Sequence, residues 1–215
     1  MESENTVLIE RSKGTQLIIW IGYIAPMIAL VGIFIAVLLS PIFNWADNAL
    51  SDLGHWTRID IGSHPFLRAL IFNLGLITTG ILLIIITIIL MNKLHDLPTI
   101  IAIVPFLLAE GFLAVIGIFS EDTWFRLGNV SLHYIASLGF FITFPFAMWF
   151  MGVSWFRFPR LRWFSIISFL LPVVSIYLWW GTFSGMFPWS GVALPELLSA
   201  LTAIVWFWLF LKLAS

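Results

Sequence analysis

No cysteine occurs among the 215 residues of this chain. Disulfide bonds, a thiolate nucleophile, and zinc or iron–sulfur sites built on cysteine are therefore excluded, although the absence does not identify a cellular compartment. Imidazole side chains are also few, since the chain has only 4 histidines.

Charge is also scarce. Only 10% of the residues are charged, whereas 61% are hydrophobic. A soluble domain has roughly 25% charged residues, so this excess of apolar side chains requires a lipid bilayer as its solvent. A net charge of −1 and the lack of a large basic patch give no reason to expect a nucleic-acid partner.

Six apolar segments are each close to the ~20 residues that a helix needs to cross a bilayer. They cover residues 16–39, 66–91, 98–119, 130–153, 163–181 and 195–213. We therefore predict an all-α polytopic membrane protein, a bundle of six transmembrane helices. Residues 1–15 form a polar N-terminal tail, and residues 16–215 form one transmembrane domain with a polar outer loop at 40–65. The first apolar run lacks a signal-cleavage pattern, so we expect it to remain as the first span.

The basic residues predict the orientation, because cytoplasmic loops are enriched in lysine and arginine. With a cytoplasmic N-terminus, the inner side holds Arg11, Lys13, Lys93, Arg157, Arg160, Arg162 and Lys212, and the outer side holds Arg58, Arg68 and Arg126. This bias predicts a multi-pass protein of the cell membrane with both termini cytoplasmic.

Small residues recur along the first span at a spacing of three and four. They are Gly22, Ala25, Ala29, Gly32 and Ala36. Such a face lets a second helix approach closely, so we predict that it is a packing surface.

The polar side chains gather at the outer side of this topology. The stretch 44–64 holds three aspartates and two histidines. Glu121, Asp122 and Glu196 fall on the same side, and we count them as candidate binding residues. Glu196 follows Pro195 at the start of the sixth span, where a role at the helix end is the alternative.

Ser51, Asp52 and His55 are the first candidates for catalysis. On a short helix their spacing of three and four would place them on one face. A serine, a carboxylate and an imidazole can form a hydrolytic nucleophile site, or, without the serine, a metal site. Capping, turn and solvent roles are the alternatives for the same residues.

His133 is the fourth catalytic candidate. Asn129, His133 and Ser137 form a polar stripe that enters the membrane from the outer side on one face of the fourth span. A histidine one turn inside the bilayer is costly unless it faces the bundle interior or water.

Two further polar residues lie within the spans. Glu110 stands near the middle of the third span, where a carboxylate indicates function by default. Its alternative is a protonated acid bonded to a neighbouring span. Asn73 in the second span needs an interhelical partner, which is Glu110 or another helix. We count both as candidate binding residues.

The residues Asn48–Gly54 read N-A-L-S-D-L-G. They resemble the signature of an uncharacterised prokaryotic membrane-protein family of unknown function, the nine-nine-eight family. The likeness continues at Asn73, Gly80, Gly117 to Asp122, and His133. It implies a six-span helical membrane protein with a shared site formed by Ser51, Asp52, Asn73 and His133. It implies no activity.

A looser likeness connects Ser51, Asp52, His55 and His133 with transmembrane hydrolases of the ceramidase and adiponectin-receptor kind. Those proteins combine a serine, an aspartate and three histidines around zinc, but they have seven spans and a late pair of histidines. A three-histidine zinc site here would need His64 to join the other two. Zinc is thus the one cofactor that this likeness implies, and the sequence does not determine its ligands.

Three functions agree with these patterns. The first is a membrane-embedded hydrolase of lipid-like substrates, in which Ser51 or a metal-bound water is the nucleophile, His133 or His55 the base and Asp52 its orienter. The second is a small-molecule or ion transporter or channel with Glu110 and Asn73 along its pathway. The third is a non-catalytic protein that binds a lipid or small molecule. In every case the lipid bilayer is a partner.

Overall fold

Six long helices make up most of the computed structural model, which describes residue 9 and residues 12–214. They are α1 Lys13–Leu38, α2 Pro65–Lys93, α3 Leu97–Ile118, α4 Leu132–Phe156, α5 Arg162–Phe183 and α6 Ala193–Ala214. All six are long and apolar enough to cross a membrane. The predicted all-α bundle of six spans is therefore confirmed. Of the predicted tail, residues 1–8, 10 and 11 lie outside the described residues, and α1 already begins at Lys13.

Polar side chains at the helix starts explain where three of the spans begin. Ser12 accepts a hydrogen bond from the Thr15 amide at α1, and Ser131 accepts one from Tyr134 at α4. Asp96 accepts from the Thr99 amide at 2.9 Å at the start of α3. Such caps pair amide groups that have no partner within the helix.

Glycines bring α1, α2 and α3 close together. All five small residues of the first span are buried. A Cβ on Gly32 would lie 3.1 Å from the Ile71 carbonyl of α2. A Cβ on Gly80 would lie only 2.7 Å from the Ala114 amide nitrogen of α3. These contacts are backbone against backbone, which is how helices associate in lipid without a hydrophobic driving force.

Aromatic rings fill the space between the other helices. The Phe106 ring on α3 stacks on Phe207 of α6, with 4.8 Å between centroids, and meets Phe144 of α4 edge-on at 5.3 Å. Trp206 of α6 stacks on Phe164 of α5 at 5.8 Å. Interlocked rings of this size resist sliding of one helix past the next.

Three connections lie at one end of the bundle, and the first of them contacts the other two. The first, 39–64, contains a short 3₁₀ helix, Leu50–Gly54, which we call the loop helix. The second, 119–131, carries a small antiparallel hairpin of β1 Arg126–Leu127 and β2 Val130–Ser131. The third, 184–192, leads into α6. This end corresponds to the predicted outer side and holds the candidate site.

We expect Gly80→Ala to lower the thermal unfolding midpoint of the purified protein. The added methyl group meets the α3 backbone, and overpacking of this kind costs about 1–3 kcal/mol. Gly111→Ala is the matched control, because nothing lies within 4 Å of its added Cβ, and it should leave the midpoint unchanged or raise it. Equal midpoints for the two variants would contradict this packing.

Candidate functional site

Two buried side chains of α2 hold the loop helix in place. Arg68 is fully buried, and its guanidinium donates to the carbonyl oxygens of Leu53 at 3.3 Å, His55 at 3.3 Å and Arg58 at 2.7 Å. Asn73 Nδ2 donates to the Gly54 carbonyl at 2.9 Å. The segment after the loop helix is therefore fixed to a transmembrane helix through its backbone.

The S-D-L-G residues each have a definite place in this arrangement. Leu53 is completely buried. A Cβ on Gly54 would lie 2.6 Å from Asn73 Oδ1 and 2.9 Å from the Phe72 ring, so a larger residue would push the loop helix off α2. Ser51 stays half-buried and lines two cavities.

Asp52 is buried at 5% exposure and fully engaged. Its Oδ2 accepts hydrogen bonds from Asn48 Nδ2 at 2.8 Å and from the Ala49 amide at 3.0 Å. Its Oδ1 forms an ion pair with Arg58. Asp52 thus closes the first turn of the loop helix with its own side chain. Arg58 supplies the compensating charge that a buried carboxylate requires.

Glu121 is the carboxylate in contact with Ser51. Its carboxyl group lies beside the side chains of Ser51 and Asp52 and interacts with both. The residue as a whole is exposed. Loss of water around this carboxyl, followed by the negative charge of Asp52, raises the pKa of Glu121 to about 7. The hydroxyl of Ser51 therefore faces a carboxyl group that exchanges its proton near neutral pH.

Glu196 joins α6 to the same loop. Its Oε2 accepts a hydrogen bond from the Leu50 amide at 2.6 Å. The start of α6 is fixed further by the amide of Ala193, which donates to the Asn48 carbonyl at 2.9 Å. Glu196 also lines both cavities beside Ser51, so it combines a role at the helix end with a place in the site.

His55 and Asp122 form a separate pair beside the site. His55 Nδ1 lies 3.4 Å from Asp122 Oδ2, which also accepts from the Trp56 amide at 3.1 Å. Asp122 Oδ1 accepts from the Ser120 hydroxyl at 2.6 Å. This pair connects the first and second outer connections, and neither residue lines a cavity next to Ser51.

His133 is buried in the first turn of α4 and lines the larger of the two cavities. Its Nδ1 lies 2.8 Å from the Phe119 carbonyl oxygen. A carbonyl can only accept, so Nδ1 carries the proton and Nε2 of the neutral ring is an acceptor.

The larger cavity, which we call the lateral cavity, has a volume of about 620 Å³. Ser51, Glu121, His133 and Glu196 line it at the outer end. Farther in, its wall consists of apolar side chains of α4 and α5, among them Phe141, Ile142, Ile176, Trp179, Trp180 and Phe183. Trp180 is 57% exposed and Phe183 75% exposed. The cavity therefore opens sideways between α4 and α5, toward the lipid.

The smaller, inner cavity has a volume of about 120 Å³. Side chains of α1, α2, α3, α4 and α6 line it, and every one of them is buried or half-buried. It runs beside Glu110 and shares Ser51, Ser137, Phe141 and Glu196 with the lateral cavity. Asn73 lines neither cavity, since its side chain is bonded to Gly54.

The histidines do not form a metal site in the part of the chain that the structure describes. No group of three or more histidine, aspartate and glutamate side chains there is placed to hold a metal ion. His55 pairs with Asp122, His133 with a backbone carbonyl, and His64 is exposed at the start of α2. The residues present do not fit a three-histidine zinc centre.

The sequence alone does not predict the roles of three residues in the site. Arg58 and Arg68 count there only as charges that predict orientation, yet Arg58 pairs with Asp52 and Arg68 holds the loop. Glu121 is predicted as a binding residue, without its contact with Ser51. One sequence feature could have indicated the attachment of the loop. Arg68 and Asn73 both lie in the first turns of an otherwise apolar span, and polar groups there require partners.

Comparison with known proteins agrees with the resemblance drawn from N-A-L-S-D-L-G. The model of a family described as "Protein of unknown function (DUF998)" matches residues 23–212. No curated protein and no solved structure matches the chain.

We expect Glu121 to titrate near pH 7 when its carboxyl stretch is followed by infrared difference spectroscopy. Glu121→Gln identifies the band by removing it. Asp52→Asn should move the midpoint down toward the ordinary glutamate value of 4.5, because a neighbouring negative charge is lost. A midpoint that stays near 7 in Asp52→Asn would contradict the coupling of the two carboxyls.

Proposed function

The chain belongs to the DUF998 family, whose function is unknown, and we propose that it is a membrane-embedded hydrolase that cleaves an ester bond in a lipid-like substrate. The observation that carries this proposal is the position of the Glu121 carboxyl group beside the Ser51 side chain at the wall of the lateral cavity. It pairs a nucleophile with a base.

The pKa of about 7 suits Glu121 to this work. A general base is most effective when its pKa lies near the working pH, because it is then both deprotonated and basic enough to accept a proton. A serine hydroxyl is a weak nucleophile unless an adjacent base takes its proton. Glu121 is therefore the general base in this proposal, in place of His133 or His55, which the sequence analysis predicts for that role.

The reaction proceeds through an acyl-enzyme. Ser51 Oγ attacks the carbonyl carbon of the ester while its proton passes to Glu121. The carbon–oxygen bond to the alcohol then breaks, and Glu121 returns the proton to the leaving oxygen. A water molecule repeats the sequence on the acylated serine, giving up its proton to Glu121, and the acid departs as Ser51 regains its proton.

Asp52 and Arg58 act as positioning residues. The ion pair between them fixes the loop helix that carries Ser51. The charge of Asp52 also helps to keep the pKa of Glu121 high. His133 faces the substrate from the cavity wall, where the acceptor nitrogen of its ring is suited to a substrate hydroxyl.

A lipid-like substrate follows from the shape of the lateral cavity. Its polar groups lie at the outer end, its inner wall is apolar, and its sides reach the bilayer between α4 and α5. A molecule with a polar head and a hydrocarbon chain matches that order. Such a substrate would enter from the membrane without passing through water.

We expect the purified protein in lipid nanodiscs to hydrolyse 4-methylumbelliferyl octanoate and to be labelled at Ser51 by a fluorophosphonate probe. Ser51→Ala should abolish both signals, and Glu121→Gln should lower the rate by about 10²–10⁴-fold. His64→Ala is the control and should behave like the wild type. Turnover or labelling that persists in Ser51→Ala would refute the mechanism. A retained lipid without any turnover would instead favour the non-catalytic lipid-binding alternative.

The rate should rise with pH through a midpoint of about 7, since only the deprotonated form of Glu121 accepts the serine proton. In Asp52→Asn, wherever activity remains, the midpoint should fall. This profile is obtained from kcat/KM against pH. The measurement should cover pH 5 to 9, which is about two pH units on either side of the midpoint. A kcat/KM that does not change over this range would exclude Glu121 as the base.

We also propose that both termini face the cytoplasm and that the site faces outward, as the distribution of lysine and arginine supports. Because the chain has no cysteine, single cysteines can be introduced without background. Thr57→Cys should react with a membrane-impermeant maleimide on intact cells, and His95→Cys should react only after permeabilisation. The reverse pattern would invert the orientation.

A further inference from the structure

The inner cavity contains a carboxyl group that the proposed reaction does not use. Glu110 is 2% exposed and lies on the wall of this cavity. Its Oε1 accepts a hydrogen bond from Thr87 at 2.6 Å, and its Oε2 has no hydrogen-bond partner among the described residues. Buried polar atoms are nearly always paired. The free oxygen therefore indicates a partner that the polypeptide does not supply.

Water would be a poor partner. A buried water usually makes about three hydrogen bonds, and the wall around Glu110 is almost entirely carbon. The Thr79 hydroxyl, which also lines the cavity, accepts from the Ala29 amide at 3.1 Å and donates to the Ala25 carbonyl at 3.0 Å. It is thus already committed. A water beside Glu110 would have too few partners.

We propose that the inner cavity is a binding site for a small, uncharged amphiphile whose single polar oxygen pairs with Glu110 Oε2. The apolar body of the ligand would pack against the rings of Phe106, Phe144 and Phe207, which line this cavity. The volume of about 120 Å³ is near the ~150 Å³ of an apolar cavity that holds benzene, so the ligand has on the order of six to eight heavy atoms. A charge on the ligand would be costly at this depth.

The ligand can reach this site from the bilayer. The inner and lateral cavities share Ser51, Ser137, Phe141 and Glu196, and the lateral cavity opens between α4 and α5. An uncharged amphiphile dissolves in the membrane and would follow that route. Binding involves no bond cleavage, so this site stands independently of the proposed hydrolysis.

The test uses ¹⁹F NMR on the full chain in lipid nanodiscs, with empty nanodiscs as the reference for partition into lipid. The probes are 3-fluorophenol and fluorobenzene, which differ by one hydroxyl group. We expect saturable binding of 3-fluorophenol, about tenfold or more tighter than that of fluorobenzene, which is the worth of one good buried hydrogen bond. In Glu110→Leu this preference should disappear while both probes still bind.

A filling variant locates the site. Ala203 lines the inner cavity, and Ala203→Phe should abolish binding of both probes. Leu198 belongs to the same helix, does not line the cavity and is 39% exposed. Leu198→Phe therefore adds bulk outside the cavity and should leave both affinities unchanged. Thermal unfolding checks that each variant is folded. If Ala203→Phe does not fold, Glu110→Leu still decides the hydrogen bond.

Three results would overturn the proposal. They are the absence of saturable binding to the wild type, equal affinities for the two probes, and a preference that persists in Glu110→Leu. Tighter binding of 3-fluorobenzylamine than of 3-fluorophenol would overturn the uncharged class of ligand. Since no probe contains an ester, loss of binding here and loss of hydrolysis are separate outcomes.

Discussion

Arg68 and Asn73 hold a stretch of irregular backbone against the outer end of a transmembrane helix, and the site is built on that attachment. Three carbonyl groups accept from the Arg68 guanidinium, and a fourth accepts from Asn73. Near lipid, unpaired backbone groups are costly, and a buried arginine is costly without acceptors. The carbonyl groups gain donors, Nε and Nη2 of Arg68 gain acceptors, and the loop helix is fixed as a consequence.

The position of Ser51 and the character of Glu121 both depend on this fixed loop. Asp52 is buried because its loop is buried, and it is stable there because Arg58 and two hydrogen bonds compensate its charge. Burial of the Glu121 carboxyl group, followed by the negative charge of Asp52, raises the pKa of Glu121 to about 7. The ion pair of Asp52 and Arg58 thus contributes to the proton affinity of the residue next to Ser51.

Two cavities of different kinds lie at the polar end of the bundle. The lateral cavity is large and reaches the lipid through the α4–α5 face, whereas the inner cavity is small and contains the unpaired oxygen of Glu110. Both meet at Ser51. Close glycine contacts pack α1, α2 and α3 tightly. The wide opening lies on the other side of the bundle, where the aromatic residues of α4 and α5 line its walls.

Composition and periodicity determined the class of fold, because a bilayer admits long apolar segments only as helices whose backbone groups pair internally. The six spans, the small-residue face of α1 and the polar outer loop could all be read from local patterns. The roles of Arg58, Arg68 and Glu121 could not be read from local patterns, since the residues that they contact are distant along the chain or lie within an irregular loop. Which charges pair depends on their distances in three dimensions. Only the tertiary structure therefore decided that Ser51 lies beside a glutamate, that His55 pairs with Asp122, and that Glu110 bonds α2 through one carboxyl oxygen and lines a cavity with the other unpaired.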